Sequence, residues 1–81
     1  MDATQKYDEI DPLCQVGDVP LNVSIAWDAA VCNARDTLGT KAASDETDAF
    51  KEFVVGCVDQ TAYFQENAEV RDWFEQFGIY G

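Results

Sequence analysis

Apolar residues recur at helical spacing along most of the chain, and three helices follow from this pattern. The first lies at 22–38, where four apolar residues recur at intervals of four, three and four: Trp27, Val31, Ala34 and Leu38. Asn22 or Ser24 can cap its N-terminus, and Gly39 stands where a glycine commonly ends a helix. The pattern therefore predicts an amphipathic helix over 22–38.

A longer apolar stripe predicts the second helix, over 45–66. Its members are Phe50, Phe53, Val54, Cys57, Val58, Thr61 and Phe64. Ser44 is the predicted N-cap, and the acidic residues that follow it favour a helix N-terminus through the helix dipole. Residues 39–44 are read as a connection. Gly56 lies off the stripe and suggests close approach of another backbone.

The third predicted helix, over 68–77, begins after Asn67 as its cap and ends before Gly78. Its apolar face consists of Val70, Trp73, Phe74 and Phe77. The apolar tail at 79–81 is expected to fold back onto the body of the protein.

The first 21 residues carry a weaker pattern, which leaves two alternatives open. Three apolar residues are compatible with a short helix: Tyr7, Ile10 and Leu13. Equally, Pro12 could occupy the first position of a helix that Gly17 stops. The whole pattern predicts a single all-α domain over residues 1–81: a small three- to four-helix bundle with residues 1–21 as an N-terminal arm or short helix.

The net charge of the chain says most about its possible partners. The chain has sixteen acidic residues, five basic residues and no histidine, for a formal net charge of −11. Because 47% of the residues are hydrophobic, we expect this charge on the surface of a folded domain and not in a disordered chain. Such a surface repels nucleic acids and anionic membranes, and self-repulsion favours a positively charged partner.

The inventory of reactive residues argues against an enzyme. Without histidine the usual general base near neutral pH is missing, and histidine-based metal sites are excluded. No phosphate-cradling glycine loop or calcium-binding loop is present, so we expect neither a metal nor a cofactor. The odd number of cysteines and the acidic, polar N-terminus favour reduced thiols in the cytoplasm. Cys32 and Cys57 are expected to be small apolar filler on helix faces.

The acidic residues opposite the apolar stripes are therefore the candidate binding residues. They are Asp45, Asp48, Glu52, Asp59, Glu66, Glu69, Asp72 and Glu75. Carboxylates three to seven residues apart lie roughly 5–10 Å apart along a helix, which brackets the spacing of phosphates on a nucleic-acid strand. We expect such a surface to imitate nucleic acid and to block the basic groove of a nucleic-acid-binding protein. A virus-encoded protein of this kind would act in the host cytoplasm.

Two other interpretations compete with mimicry. A helical adaptor or subunit would bind a protein partner, or a second copy of itself as a homodimer, through its aromatic residues: Tyr63, Phe64, Trp73, Phe74, Phe77 and Tyr80. Alternatively, the acidity serves solubility or adaptation to high salt and has no charge-based role.

Overall fold

Helices make up the regular secondary structure of the computed structural model, which describes residues 2–80. In chain order these are α1 (Ala3–Gln15), α2 (Leu21–Leu38), α3 (Thr40–Asp45), α4 (Asp48–Cys57), a 3-10 turn (Val58–Gln60), α5 (Ala62–Gln65) and α6 (Ala68–Glu75). No strand occurs within these residues, so the predicted all-α class is confirmed. The helices pack into a body of 33 × 23 × 23 Å. Within the described part of the chain, no helix is both long and apolar enough to cross a membrane.

The N-terminal segment forms a full helix of 13 residues, α1. A capping box starts it: the Asp2 carboxylate accepts a hydrogen bond from the Gln5 backbone N–H at 2.9 Å, and the Gln5 side chain accepts one from the Asp2 backbone N–H at 3.1 Å. Pro12 lies inside this helix, so its placement at a first helical position is wrong. Gly17, at φ +75°, follows the helix end as predicted.

Helix α2 begins one residue earlier than predicted. Pro20 is its N-cap residue, and the Pro20 carbonyl accepts hydrogen bonds from the backbone N–H groups of Val23 and Ser24. Neither Asn22 nor Ser24 caps the helix, because both already lie inside it. Gly39, at φ +98°, ends α2 as predicted.

Residues 39–44 are not a plain connection, because Thr40–Asp45 forms the short helix α3. Ser44 lies inside α3, so it is not the N-cap of the next helix. Thr47 takes that role: its Oγ1 accepts a hydrogen bond from the Phe50 backbone N–H at 3.2 Å. Helix α4 therefore starts three residues later than predicted.

The predicted single helix over 45–66 is wrong, because a 3-10 turn divides it into α4 and α5. Thr61 organises the break: its hydroxyl donates to the Val58 carbonyl at 2.8 Å and caps α5 by accepting from the Phe64 backbone N–H. In a continuous helix, Val58 and Phe64 would lie about 120° apart around the axis. The break allows both side chains to be fully buried in the same core.

The last helix, α6, begins after Asn67 as predicted and ends at Glu75, two residues before the predicted end. A turn that includes Gly78, at φ +76°, follows it. The predicted return of the tail is confirmed for Ile79, which is buried, whereas Tyr80 is 68% exposed. The remaining tail position, residue 81, lies outside the described residues.

An aromatic cluster forms the centre of the core. Trp27 packs against Phe74 with ring centroids 6.1 Å apart and against Tyr7 at 5.6 Å. Phe50 and Phe64 extend the cluster on either side, with Phe50 next to Tyr7 and Phe64 next to Phe74. These five rings connect α1, α2, α4, α5 and α6, and every ring is buried.

The cysteine predictions are half correct. Cys57 is half-buried and packs against the core, as expected of an apolar filler. Cys32 is exposed, because it lies on the side of α2 that turns away from the core. Cys14 packs partly against the core, and all three thiols are free.

Replacing Gly56 with alanine should stabilise the protein by about 0.5–1 kcal/mol, because glycine weakens a helix interior. The predicted close approach of another backbone to this glycine is wrong: Gly56 is exposed, and a Cβ added there meets nothing within 4 Å among residues 2–80. Chemical denaturation of the two proteins measures the difference. Gly39→Ala is the matched control and should destabilise, since Gly39 has φ +98°. A Gly56→Ala variant no more stable than the parent would contradict this account.

Candidate functional site

The basic residues are largely engaged within the molecule. Lys51 pairs with Asp8 at 2.7 Å, and Lys41 pairs with Asp45 at 3.2 Å. Lys6 donates to the Gly78 carbonyl at 3.3 Å. Arg71 on α6 donates hydrogen bonds to the last two carbonyls of α5. Within residues 2–80, only two ion pairs therefore offset the sixteen carboxylates.

Three of the predicted binding residues form one exposed face of α6. Glu69, Asp72 and Glu75 follow each other at intervals of three and all point into solvent. Glu66, which caps the C-terminus of α5, is exposed just before them. Glu69 also lies in the first turn of α6, where its charge stabilises the helix.

The predicted residues around α4 differ from one another in their surroundings. Asp48 and Glu52 are exposed one turn apart on α4, and Asp48 lies in the first turn. Asp45 belongs to α3 and is held by Lys41 four residues earlier. Asp59 lies in the 3-10 turn and is half-buried, with one carboxylate oxygen that is fully buried and has no hydrogen-bond partner among residues 2–80.

The eight predicted residues do not share one continuous helix face, since the helix over 45–66 on which five of them were placed is divided. Helix α4 packs against α1 and α2, whereas α6 packs against α2 and α5. The structure therefore groups Asp48 with Glu52 on one helix, and Glu69 with Asp72 and Glu75 on another.

A recess between the first four helices gathers acidic residues that the sequence analysis did not select. It has a volume of about 270 Å³. We call it the acidic recess and define it by its polar lining: Tyr7, Asp11, Gln15, Asp28, Arg35 and Glu46. Val31, Ala43 and Phe50 form its apolar part.

Local structure explains how each carboxylate reaches the recess. Asp11 follows Tyr7 by one turn of α1, and its Oδ1 accepts a hydrogen bond from Trp27 Nε1 at 3.0 Å. Asp28 comes directly after Trp27 on α2. Glu46 ends α3 in the left-handed conformation, at φ +48°, where glycine is the usual residue.

The recess has a strongly negative local environment. Burial raises the pKa of Tyr7, and the charges of Asp11, Glu46 and Asp8 raise it further. Burial likewise raises the pKa of the Cys14 thiol to about 12, with the charge of Asp11 as the next cause. Both groups therefore keep their protons at pH 7.

A signal for Asp11 was present in the sequence. Once Asp2 and Gln5 are recognised as a capping box, α1 starts at residue 3 and places Tyr7 and Asp11 one turn apart. Glu46 had no such signal, because it reaches the recess only through the left-handed turn between α3 and α4.

The aromatic residues of the competing interpretation are mostly part of the core. Phe64 and Phe74 are fully buried, and Trp73 and Phe77 pack against the core as half-buried rings. Tyr80 is 68% exposed and Tyr63 is 45% exposed, so these two aromatic residues of the set are accessible to a partner.

Within residues 2–80, no group of three acidic or cysteine side chains lies close enough to hold a metal ion. Comparison with known proteins found no matching family model, no similar curated protein and no similar solved structure.

Proposed function

We propose that this protein is a small acidic inhibitor that binds a nucleic-acid-handling protein and blocks its basic DNA- or RNA-binding surface. A host-defence nuclease, a restriction or CRISPR-type complex, or a DNA-processing enzyme has the required basic surface. The observation that carries the proposal is the excess of exposed carboxylates over internal ion pairs on a well-packed helical body.

The mechanism is electrostatic and steric competition. Carboxylates of the inhibitor take the place of phosphates opposite lysine and arginine side chains of the partner. Complementary charge also accelerates the encounter, and both effects weaken as salt screens the charges. Because the helices are fixed by a shared core, the acidic side chains need little reorganisation of the backbone on binding.

The structure selects the residues that test this mechanism. Glu52, Asp72 and Glu75 are exposed, form no ion pair among residues 2–80 and lie outside the first turn of their helices, so their reversal should leave folding intact. Reversing all three to lysine raises the net charge from −11 to −5. We expect partner binding to weaken by about two orders of magnitude, because like charges placed opposite each other cost several kcal/mol.

The matched control reverses Glu9, Asp18 and Asp36, which are also exposed and give the same net charge. A partner captured from the native host supplies the assay, which measures competition between the purified protein and a duplex oligonucleotide for that partner. Mimicry through the α4 and α6 faces requires the control to bind nearly as well as the parent. The proposal would be refuted if the variant with Glu52, Asp72 and Glu75 reversed still bound the partner. It would also be refuted if duplex oligonucleotides did not compete with the protein for the partner.

A second candidate function is a helical adaptor or subunit that binds through aromatic residues, with the acidity serving solubility. The exposure of Tyr63 and Tyr80 favours it. Salt separates the two functions, because an aromatic interface responds weakly to ionic strength whereas charge mimicry loses affinity steeply. Tyr63→Ala with Tyr80→Ala should abolish binding by an adaptor and leave a nucleic-acid mimic nearly unchanged.

A further inference from the structure

A groove between α2 and α5 is lined mainly by small and apolar side chains. Ala29 and Ala30 of α2, Cys57 at the end of α4, and Ala62 and Tyr63 of α5 contribute to its lining. We call it the α2–α5 groove. Its volume of about 330 Å³ lies at the lower end of the range for ligand pockets, about 300–1,000 Å³. This size suits a side chain of a protein ligand better than a large cofactor.

The α2–α5 groove continues into a second depression that contains a charge. Gln60 of the 3-10 turn lines both, and Asp59 lines the second, which has a volume of about 350 Å³. Arg71 also lines the second depression, but its guanidinium donates to the carbonyls of Phe64 and Gln65. Among the described residues, Asp59 forms no ion pair within 4 Å. An apolar groove is therefore joined to a carboxylate that has no counter-ion.

The Asp59 carboxylate gives an indication of a ligand that does not depend on the apolar lining. Its Oδ1 is fully buried and has no hydrogen-bond partner among residues 2–80, and no other buried side-chain oxygen or nitrogen of these residues is in that state. Such atoms are rare in native proteins, because neither water nor a protein donor compensates for their lost hydration. A cation bound beside this carboxylate would offset the buried negative charge.

Charge complementarity selects the occupant of the groove. A second copy of this chain is a poor occupant, because two molecules with a net charge of −11 each repel one another. A neutral apolar segment would fill the groove but leave Asp59 unpaired. A segment that carries an aliphatic side chain close to a basic one satisfies both parts of the surface.

We propose that the α2–α5 groove binds an extended protein segment that places an aliphatic side chain in the groove and an arginine or lysine at Asp59. None of the exposed acidic residues of α4 and α6 lines either depression. The groove is therefore a second interaction surface, and it does not depend on the proposed function.

The probe for this surface is the peptide acetyl-Leu-Ser-Arg-amide. Its leucine and arginine are two residues apart, so they point to the same side of an extended chain. Acetyl-Ser-Ser-Arg-amide keeps only the charge, and acetyl-Leu-Ser-Gln-amide keeps only the aliphatic side chain. The backbone amide resonances of Gln60, Ala62 and Tyr63 in NMR measure binding, since these residues line the groove. We expect saturable shifts with the probe and about tenfold weaker binding of each control peptide.

Two variants with equal net charge locate the basic side chain of the probe. Asp59→Asn removes the unpaired carboxylate and should weaken binding about tenfold. Glu66→Gln removes one charge at the exposed end of α5, outside both depressions, and should change binding less than twofold. Ala29→Leu locates the aliphatic side chain, because it fills the groove with a good helix former and should abolish binding.

Stability separates a binding role of Asp59 from a structural one. Asp59→Asn should unfold at the same urea concentration as the parent or at a higher one, because it removes a charge whose buried oxygen has no partner within residues 2–80. A lower midpoint would show that Asp59 supports the fold and would contradict its assignment to binding. Circular dichroism and the dispersion of the amide resonances show that each variant is folded.

Several results would overturn this assignment of the groove: a control peptide that binds as tightly as the probe, equal weakening by Asp59→Asn and Glu66→Gln, or unchanged binding in Ala29→Leu. Self-association that Ala29→Leu prevents, measured by analytical ultracentrifugation, would assign the groove to a second copy instead. These measurements use neither the partner nor nucleic acid, so their failure leaves the proposed function intact. Conversely, if duplex oligonucleotides fail to compete for the partner, the proposed function fails and the groove remains a peptide site.

Discussion

Replacing Phe74 with alanine should lower the free energy of unfolding by about 3–5 kcal/mol, the usual cost of removing a fully buried aromatic ring. Phe74 has no exposed surface and its ring centroid lies 5.8 Å from that of Phe64, 5.1 Å from that of Trp73 and 6.1 Å from that of Trp27. The loss reaches the lower end of the stability expected of a small domain, about 5–15 kcal/mol. We therefore expect a largely unfolded or barely stable protein at 37 °C.

Thermal and urea unfolding, followed by circular dichroism, measure this effect. Phe77→Ala is the matched control, because Phe77 is the same residue type three positions later but is only half-buried at the edge of the core. It should cost clearly less than Phe74→Ala. Equal losses at the two positions would show that α6 does not pack through Phe74 as described.

Alkaline pH should destabilise the protein, starting near pH 9. The pKa of Cys14 is raised from 9.0 to about 12, and burial raises the pKa of Tyr7 above its ordinary value of 10.0. Between the unfolded and the folded pKa, the folded state holds a proton that the unfolded state has released, so stability falls as pH rises. Each such group lowers the free energy of unfolding by up to about 1.4 kcal/mol per pH unit.

Urea unfolding at intervals between pH 7 and pH 11 tests this expectation. Stability should respond little to these groups below pH 9 and then fall with increasing slope as Tyr7 joins Cys14. In Cys14→Ala the fall should be shallower between pH 9 and pH 10, because Cys57, whose pKa burial also raises, is then the main contributor there. A stability curve that stays level up to pH 11 would contradict the burial of both groups.

Much of the helical fold follows from local signals. The spacing of Trp27, Val31 and Ala34 with Gly39 behind them predicted α2 almost to the residue, and Asn67 with Gly78 bounded the last helix closely. Such signals work because caps and helix faces are decided by neighbours in sequence.

The division of the predicted 45–66 helix did not follow from local signals. One continuous helix accounts for most of the apolar stripe, and the gain from burying Val58 and Phe64 in the same core arises only from packing against the other helices, chiefly α2 and α6. Tertiary packing therefore overrode the helical propensity of this segment.

The sequence by itself determined that this protein is helical and strongly acidic, with few basic residues to offset its carboxylates, because composition and periodicity are properties of the chain alone. The tertiary structure decided which carboxylates stand together. Helix packing separated Glu52 from Asp72, and it brought Asp11, Asp28 and Glu46 from three parts of the chain to one recess. Proximity across elements depends on how the helices pack, and no spacing along a single helix encodes it.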